Sequence, residues 1–509
     1  MKGEVNTERH TLKCNTHYIG IDSVGKMFSV VIRSCLLLTH MRNQKCKESA
    51  KDTRRFVRTQ SKFSILVIVF ASCFLILSAA GRVLADAPQT KSMDSYYKAM
   101  SERVETGVRG PLANWHYYLK DGYFSIDSSK KNIKFRINGQ IFVDGGNIDA
   151  DEELQNSFPD LDGSNILLRK LDISTYGNFY DTVDFKIGID FANARDIQDI
   201  WIRYLKNPFL KKIKFGNQKE PFSLEYLTSI SRVTFMERAL PDAAFSSGRN
   251  IGIRYDSLNP DRRINLGAGV FLNTGSFSTV GEGGNQISES NGFNVTARVF
   301  GLPVYGEDGR TLLHLGLGYR YGSRDENDLD SSIQFRTRPE SRLTDDTLVD
   351  TGPIPGNRRD TVNAELAMVF GPWSFQGQGY YVSLDADAAG DPDFWGYYAF
   401  LSYFITGEHR NYNRSIGVFT GVEPQPSFHP MKGEWGAWEL ALRHSYVDLN
   451  DGDIYGGKES NFTAGLNWIH NRNVRVMFNY IHAYVKDRAS PPVDNGRANI
   501  YQVRFQLIW

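Results

Sequence analysis

Alternation with a period of two runs through most of this chain, and through its last eleven residues, "NIYQVRFQLIW", without a break. Tyr501, Val503, Phe505, Leu507 and Trp509 fall on one face; Gln502, Arg504 and Gln506 fall on the other. That period is the signature of a β-strand with unlike faces. A strand so apolar on one side, with tryptophan as its last residue, would be an aggregation hazard as an exposed sheet edge in water. It is safe if the sheet closes on itself and the apolar face meets lipid, where every backbone group must pair within the protein. We therefore expect this strand to close a barrel against the first one.

The same texture fills the chain from about Asn132 onward. In "DTVDFKIGIDFAN", Val183, Phe185, Ile187, Ile189 and Phe191 oppose Asp184, Lys186, Gly188 and Asp190. "WELALRHSYV", "NFTAGLNWIHN" and "VRVMFNYIHAY" alternate likewise. Charged residues sit mid-strand on the polar face: Asp184, Lys186, Asp190, Asp199, Arg203, Glu439, Arg443, Arg475 and Arg504. Aromatics gather near strand ends, at Tyr176 and Tyr180, Tyr397 and Tyr398, Trp435 and Trp438. An apolar outer face, a wet inner face and aromatic girdles are what a transmembrane barrel requires. Tight connections ("NFYDT", "FGPWS", "HNRNV") contrast with long polar ones at Thr274 to Ser290, Ser323 to Arg359 and around "DADAAGDPD". The predicted fold is all-β: a transmembrane antiparallel β-barrel of about 16 strands, with long external loops and an inward-folded constriction loop. A barrel of that size leaves an aqueous channel.

The first part of the chain differs. "KFSILVIVFASCFLILSAAGRVLADA" follows Lys51, Arg54, Arg55, Arg58 and Lys62 and ends in small residues around Ala85. It reads as a secretory signal peptide cleaved near Ala85; a membrane-spanning helix is the alternative. The expected division is 1–85 as N-terminal extension and signal peptide, 86–130 as a short polar periplasmic or plug segment, and 131–509 as the barrel. Met41 offers a second possible start. All four cysteines (Cys14, Cys35, Cys46, Cys73) precede the cleavage point, so the barrel has no disulfide framework and no cysteine metal site. Fourteen of the 59 basic and five of the 58 acidic residues also precede it, which leaves 45 against 53, a net charge of −8. An acidic exported chain is no candidate nucleic-acid binder.

One stretch breaks the alternation: "IKFGNQKEPFSLEYLTSISRVTFMERALPDAAFSSGRNIGIRY", Ile213 to Tyr255. Its long middle carries Lys219, Arg232, Arg238 and Arg249 against Glu220, Glu225, Glu237 and Asp242. By spacing alone it is either a solvated surface loop or a segment that folds inward and narrows a pore.

"FGNQKEPFSLE", "TSISRVTFMERALP" and "GRNIGI", with "LLRKLDIS", "SYFITGEHR" and "GEWGAWELALRHSYVDL", together resemble the phosphate-selective porin O and P family of outer-membrane channels. The resemblance spans about Phe135 to Trp509. It implies a sixteen-stranded homotrimeric porin with basic residues along the pore and an anion site at the constriction. On that basis the pore and anion-binding candidates are Arg169, Lys170, Lys219, Arg232 and Arg238. Strict alternation would turn only one of Arg169 and Lys170 inward, so a bulge is needed for both. Arginine forks and lysines suit a phosphate oxyanion. Tyr226 stands where phosphate-selective members have a lysine, and Gln140 where they have an arginine. The expected function is passive diffusion of small hydrophilic solutes, with a preference for anions such as phosphate. The alternative is a plugged, structural or adhesin-like barrel.

No G-x-S-x-G or H-E-x-x-H occurs, and the seven histidines after Ala85 form no ligand spacing, so we expect no enzyme, no cofactor and no metal. "DLNDGD" at Asp448 reads as a solvated turn. Expected partners are outer-membrane lipids, the barrel-assembly machinery acting on the C-terminal strand, small anionic or polar solutes, and two further copies of the chain.

Overall fold

The computed structural model describes residues 116–120, 123–128, 132–192, 196–272, 292–323, 332–386 and 389–509. The expected N-terminal extension and signal peptide lie outside them, as does most of the 86–130 segment. Sixteen antiparallel strands close into a barrel: β3 (Ile133–Ala150), β4 (Gly163–Phe179), β5 (Val183–Asp190), β6 (Asp196–Tyr204), β7 (Ile213–Lys219), β8 (Arg249–Leu258), β9 (Ile264–Leu272), β10 (Phe293–Gly306), β11 (Thr311–Ser323), β12 (Arg358–Phe370), β13 (Trp373–Asp385), β14 (Asp393–Phe404), β15 (Ala437–Asp451), β16 (Ile454–Ile469), β17 (Val474–Arg488) and β18 (Val493–Ile508). Each pairs with the next, and β18 pairs with β3 from Ala498↔Ala150 to Ile508↔Gln140. A hairpin, β1 (His116–Lys120) and β2 (Tyr123–Ser128), continues the sheet on the rest of the β3 edge, with Phe124 opposite Ile137.

The closure explains the terminal tryptophan. Trp509 and Gly139 exchange backbone hydrogen bonds of 2.8 and 2.9 Å. Its indole packs against Gly139, where an added Cβ would stand 2.0 Å from the ring. Only glycine leaves that slot open.

Alternation sorts the side chains as the sequence predicts. Ile187, Ile202, Phe215, Leu317, Leu442, Tyr501 and Phe505 stand exposed on the outside. Arg443, Asn461, Thr463 and Arg504 are buried within. Paired aromatics gird both rims: Trp373 with Tyr403 (4.3 Å) and Trp438 with Trp468 (5.0 Å) at one end, Trp395 with Tyr446 (5.1 Å) at the other. Such belts mark the two membrane interfaces. Two aromatics assigned to them from sequence behave otherwise: Tyr398 is buried in the lumen and Tyr176 sits on the inner face opposite Lys186.

Six of the connections at one end are short, at 180–182, 205–212, 259–263, 307–310, 371–372 and 470–473. By the usual barrel polarity this is the periplasmic end. Three longer segments enter the lumen. A short helix, α1 (Glu152–Ser157), follows β3; the first inserted segment, 220–248, contains helices α2 (Leu224–Leu227) and α3 (Leu240–Phe245). The second, 332–357, belongs to a stretch expected to be wholly external, yet its Phe335, Glu340, Leu348 and Ile354 are buried. The third, 405–436, hangs from the short-turn end. Its Tyr412 hydroxyl meets the inward His314 at 2.7 Å, and its Gly417 carbonyl accepts from Arg298 at 2.9 Å.

Candidate functional site

The 220–248 segment crosses the lumen because the facing wall is built to hold its backbone. Gln506 Nε2 donates to the Ser231 carbonyl (3.1 Å), Arg475 Nη1 to Val233 (2.9 Å), Asn467 Nδ2 to Thr234 (2.8 Å) and Arg443 Nη1 to Glu237 (3.1 Å). Arg504 donates to the Met236 carbonyl. Four consecutive strands, β15 to β18, thus clamp one run of main chain. Apolar packing completes the hold: Phe235 meets Phe400 edge-on at 5.5 Å under the Arg443 guanidinium, and Phe245 meets Phe335 at 5.5 Å. Several lumen charges read from sequence as pore charges are therefore anchors.

Arg169 and Lys170 both turn inward, and the register shows how. Leu168 pairs with Val143 and Lys170 with Phe142, so Arg169 is the extra residue of a β-bulge. Their tasks then diverge. Arg169 forms a two-pronged ion pair with Glu237 (2.8 and 3.0 Å). Glu237 also receives Arg504, which itself grips Asp144 with two bonds of 2.7 Å. Burial alone would raise the Glu237 carboxyl; Arg169 and Arg504 outweigh it and hold it well below the usual carboxylate range. Lys170 pairs with Asp190 at 3.0 Å and faces a chamber.

That chamber, ≈ 340 Å³, lies between the inner face of β3 to β7 and the 227–238 part of the inserted segment. Six cations line it: Lys170, Lys186, Lys219, Arg232, Arg238 and Arg249. Asp172 and Asp199 oppose them from the lining, and Asp190 and Asp242 pair from behind with Lys170 (3.0 Å) and Arg238 (3.6 Å). Asp199 is shared, with Lys186 at 2.6 Å and Arg249 at 3.2 Å, so the excess stays positive. Ser229 and Ser231 add hydroxyl donors. Lys219 and Arg238 gather on Tyr226, the lysine nitrogen 4.6 Å and the guanidinium carbon 4.9 Å from the ring centroid. The Tyr226 carbonyl accepts from both. The Tyr226 ring thus holds two neighbouring cations in place. Gln140 also lines the chamber.

Four of the five sequence candidates, Lys170, Lys219, Arg232 and Arg238, thus meet in one chamber, and Arg169 stands apart as an anchor of the segment. Sequence reasoning did not assign Lys186 or Arg249 to the site, although their polar-face and post-segment positions were visible. What joins them is Asp199, and a bulge opposite Gly188 is what admits it: Ile187 pairs with Ile200 but Ile189 with Ile197.

A closed membrane barrel with a lipid-facing belt and an inserted segment narrowing its lumen defines a class, the outer-membrane porins. The model of the family "Phosphate-selective porin O and P" matches residues 135–509, and the chain belongs to that family. An uncharacterized protein of Caulobacter vibrioides is 28% identical over 382 residues, covering 73% of each chain. Porin O of Pseudomonas aeruginosa is 24% identical over 395 residues, 71% of this chain and 85% of that protein. Among solved structures, an anion-selective porin from Comamonas acidovorans superposes with a TM-score of 0.45 at 12% identity, over 74% of this chain and all of that one. So loose a likeness bears on neither selectivity nor assembly.

Proposed function

We propose that this porin lets small hydrophilic solutes diffuse passively across the outer membrane and prefers anions, phosphate among them. The observation that carries the reading is the charge of the chamber: six cations line it against two lining carboxylates and two more paired behind Lys170 and Arg238, an excess of positive charge in a space walled by protein, where a ring of one sign selects ions of the other. Serines and lysines beside arginine forks suit an oxyanion that is held briefly and released. The net acidic chain does not oppose this, because ions in transit meet the local field.

We further propose a homotrimer. Strands β5, β6 and β7 have 8, 9 and 7 residues, whereas β15 to β18 have 15 or 16. A tilted strand of that shorter length rises roughly 20 Å, less than the apolar band of about 25 Å. The low wall is therefore the side best protected by neighbouring copies.

The plugged-barrel reading draws on one observation. The lumen is packed with apolar side chains from all three inserted segments, including Phe335, Phe245 and Phe419. Conductance separates the two. A plugged barrel in a planar bilayer passes no steady current, whereas the proposed channel does. Replacing Lys170, Lys219 and Arg238 together with alanine should lower the anion/cation permeability ratio severalfold; an unchanged ratio contradicts the site.

A further inference from the structure

Away from the chamber, the barrel wall carries two arginines that its own side chains leave without an acceptor. Arg320 on β11 is fully buried and Arg359 on β12 is 2% exposed, and both project inward. They belong to adjoining cross-strand rows. Thr296, Arg320 and Thr361 form one; Asn294, Gly322 and Arg359 form the next. Arg320 uses one nitrogen, Nη2, on the Phe245 carbonyl. Among the described residues its Nε and Nη1, and all three nitrogens of Arg359, have no hydrogen-bond partner. The Thr361 hydroxyl beside them has none there either. Glu220 is the carboxylate of this region, but Asn250 (2.7 Å), Asn294 (2.9 Å) and Thr296 already occupy it. Gly322 keeps the space open: an added Cβ would stand 3.6 Å from two Arg359 nitrogens and 2.9 Å from Asn294 Oδ1.

Glu220 keeps its negative charge under these neutral donors and acts on both arginines, which leaves one buried positive charge and five idle donor nitrogens, a costly arrangement unless a further anion joins them. Neutral water would satisfy the donors but not the charge. We propose that Arg320, Arg359 and the Thr361 hydroxyl form a buried site for one small inorganic anion of the halide class, separate from the permeation chamber. The full burial of both side chains sets the size. The site has a structural task. Arg320 holds the Phe245 carbonyl, near the end of the inserted segment, and Glu220 at its start binds three residues of the same wall region. An anion between the arginines keeps them in place and so fixes the feet of the segment that narrows the pore.

The test is a bromide soak of crystals of the whole porin, with anomalous scattering collected at the bromine edge. We expect a peak in contact with both guanidinium groups. Full occupation of those donors by water or by protein carbonyls, with no bromide there, would overturn the site. A second measurement follows thermal unfolding in detergent as chloride replaces gluconate at constant ionic strength. Wild type should gain stability, and Arg359→Met and Arg320→Met should each lose most of that gain while the heat-modifiable shift of the folded barrel on a gel is kept. A gain that is the same in wild type and both variants would also overturn it. Should the variants not fold, the wild-type soak decides.

Discussion

The chamber works through a few side chains whose positions set one another. Tyr226 carries no charge, yet it fixes Lys219 and Arg238 over its ring, where each keeps a face toward the chamber. Removing both cations (Lys219→Ala with Arg238→Ala) should shift the zero-current potential toward the cation side, with a permeability ratio lowered by about threefold to tenfold, given screening by salt. Glu225 gives the site a pH dependence. Burial, with Asp242 beside it, pushes its carboxyl up to about 8, against Arg443 and Arg238. It is therefore neutral in the folded barrel below that pH and charged above it. The folded state holds a proton that an unfolded glutamate, at 4.5, would lose, so this contribution to stability is fully present below pH 4.5 and is lost as pH rises through about 8. Anion preference should fall over the same upper window as a negative charge appears beside Arg238. Glu225→Gln should flatten that profile; an equally steep profile in the variant would assign the titration elsewhere.

At the scale of elements, the inserted segment is held by donors from the wall and not by its own regularity, since α2 and α3 have only 4 and 6 residues, each under two turns. Arg504 is the central clamp, joining Asp144, Glu237 and the Met236 carbonyl. Arg504→Met leaves two carboxylates buried with less compensation, a change that typically costs about 3–5 kcal/mol. We expect the folded band on a gel to convert at a lower temperature and the open-channel current to become noisier. The strands were legible in the sequence because lipid and lumen impose a strict period of two. The bulge was legible as a requirement, since Arg169 and Lys170 are adjacent and both were needed inward. The burial of 332–357 and 405–436 was not legible. Both segments pack against a polar inner wall, so their own composition stays polar. Their partners, such as Asn265 for the Ser415 carbonyl and Arg443 for Glu340, are distant in sequence. The split between Arg169 as anchor and Lys170 as chamber residue was hidden for the same reason: Glu237 and Asp190 select the roles.

For the whole molecule, closure is the event on which everything else depends. Trp509 lies in the slot that Gly139 leaves, at the seam of the barrel. Gly139→Leu would drive a side chain into the indole, and we expect severalfold less heat-modifiable barrel in the outer membrane, with the shortfall recovered as unfolded chain; normal yield would show that the slot is dispensable. The low wall of β5 to β7 should be the contact between copies, so cysteines placed on its outer face should cross-link a trimer, and the same substitutions on β16 should not. The central claim is that a closed, partly filled barrel keeps an anion-preferring path along its basic chamber. Its most direct test is the zero-current potential of the purified porin in a planar bilayer under a potassium chloride gradient, with phosphate then titrated in. The account requires a potential of anion-selective sign and a chloride current that falls as phosphate occupies the chamber. A potential near zero or of cation-selective sign, with phosphate inert, would contradict it.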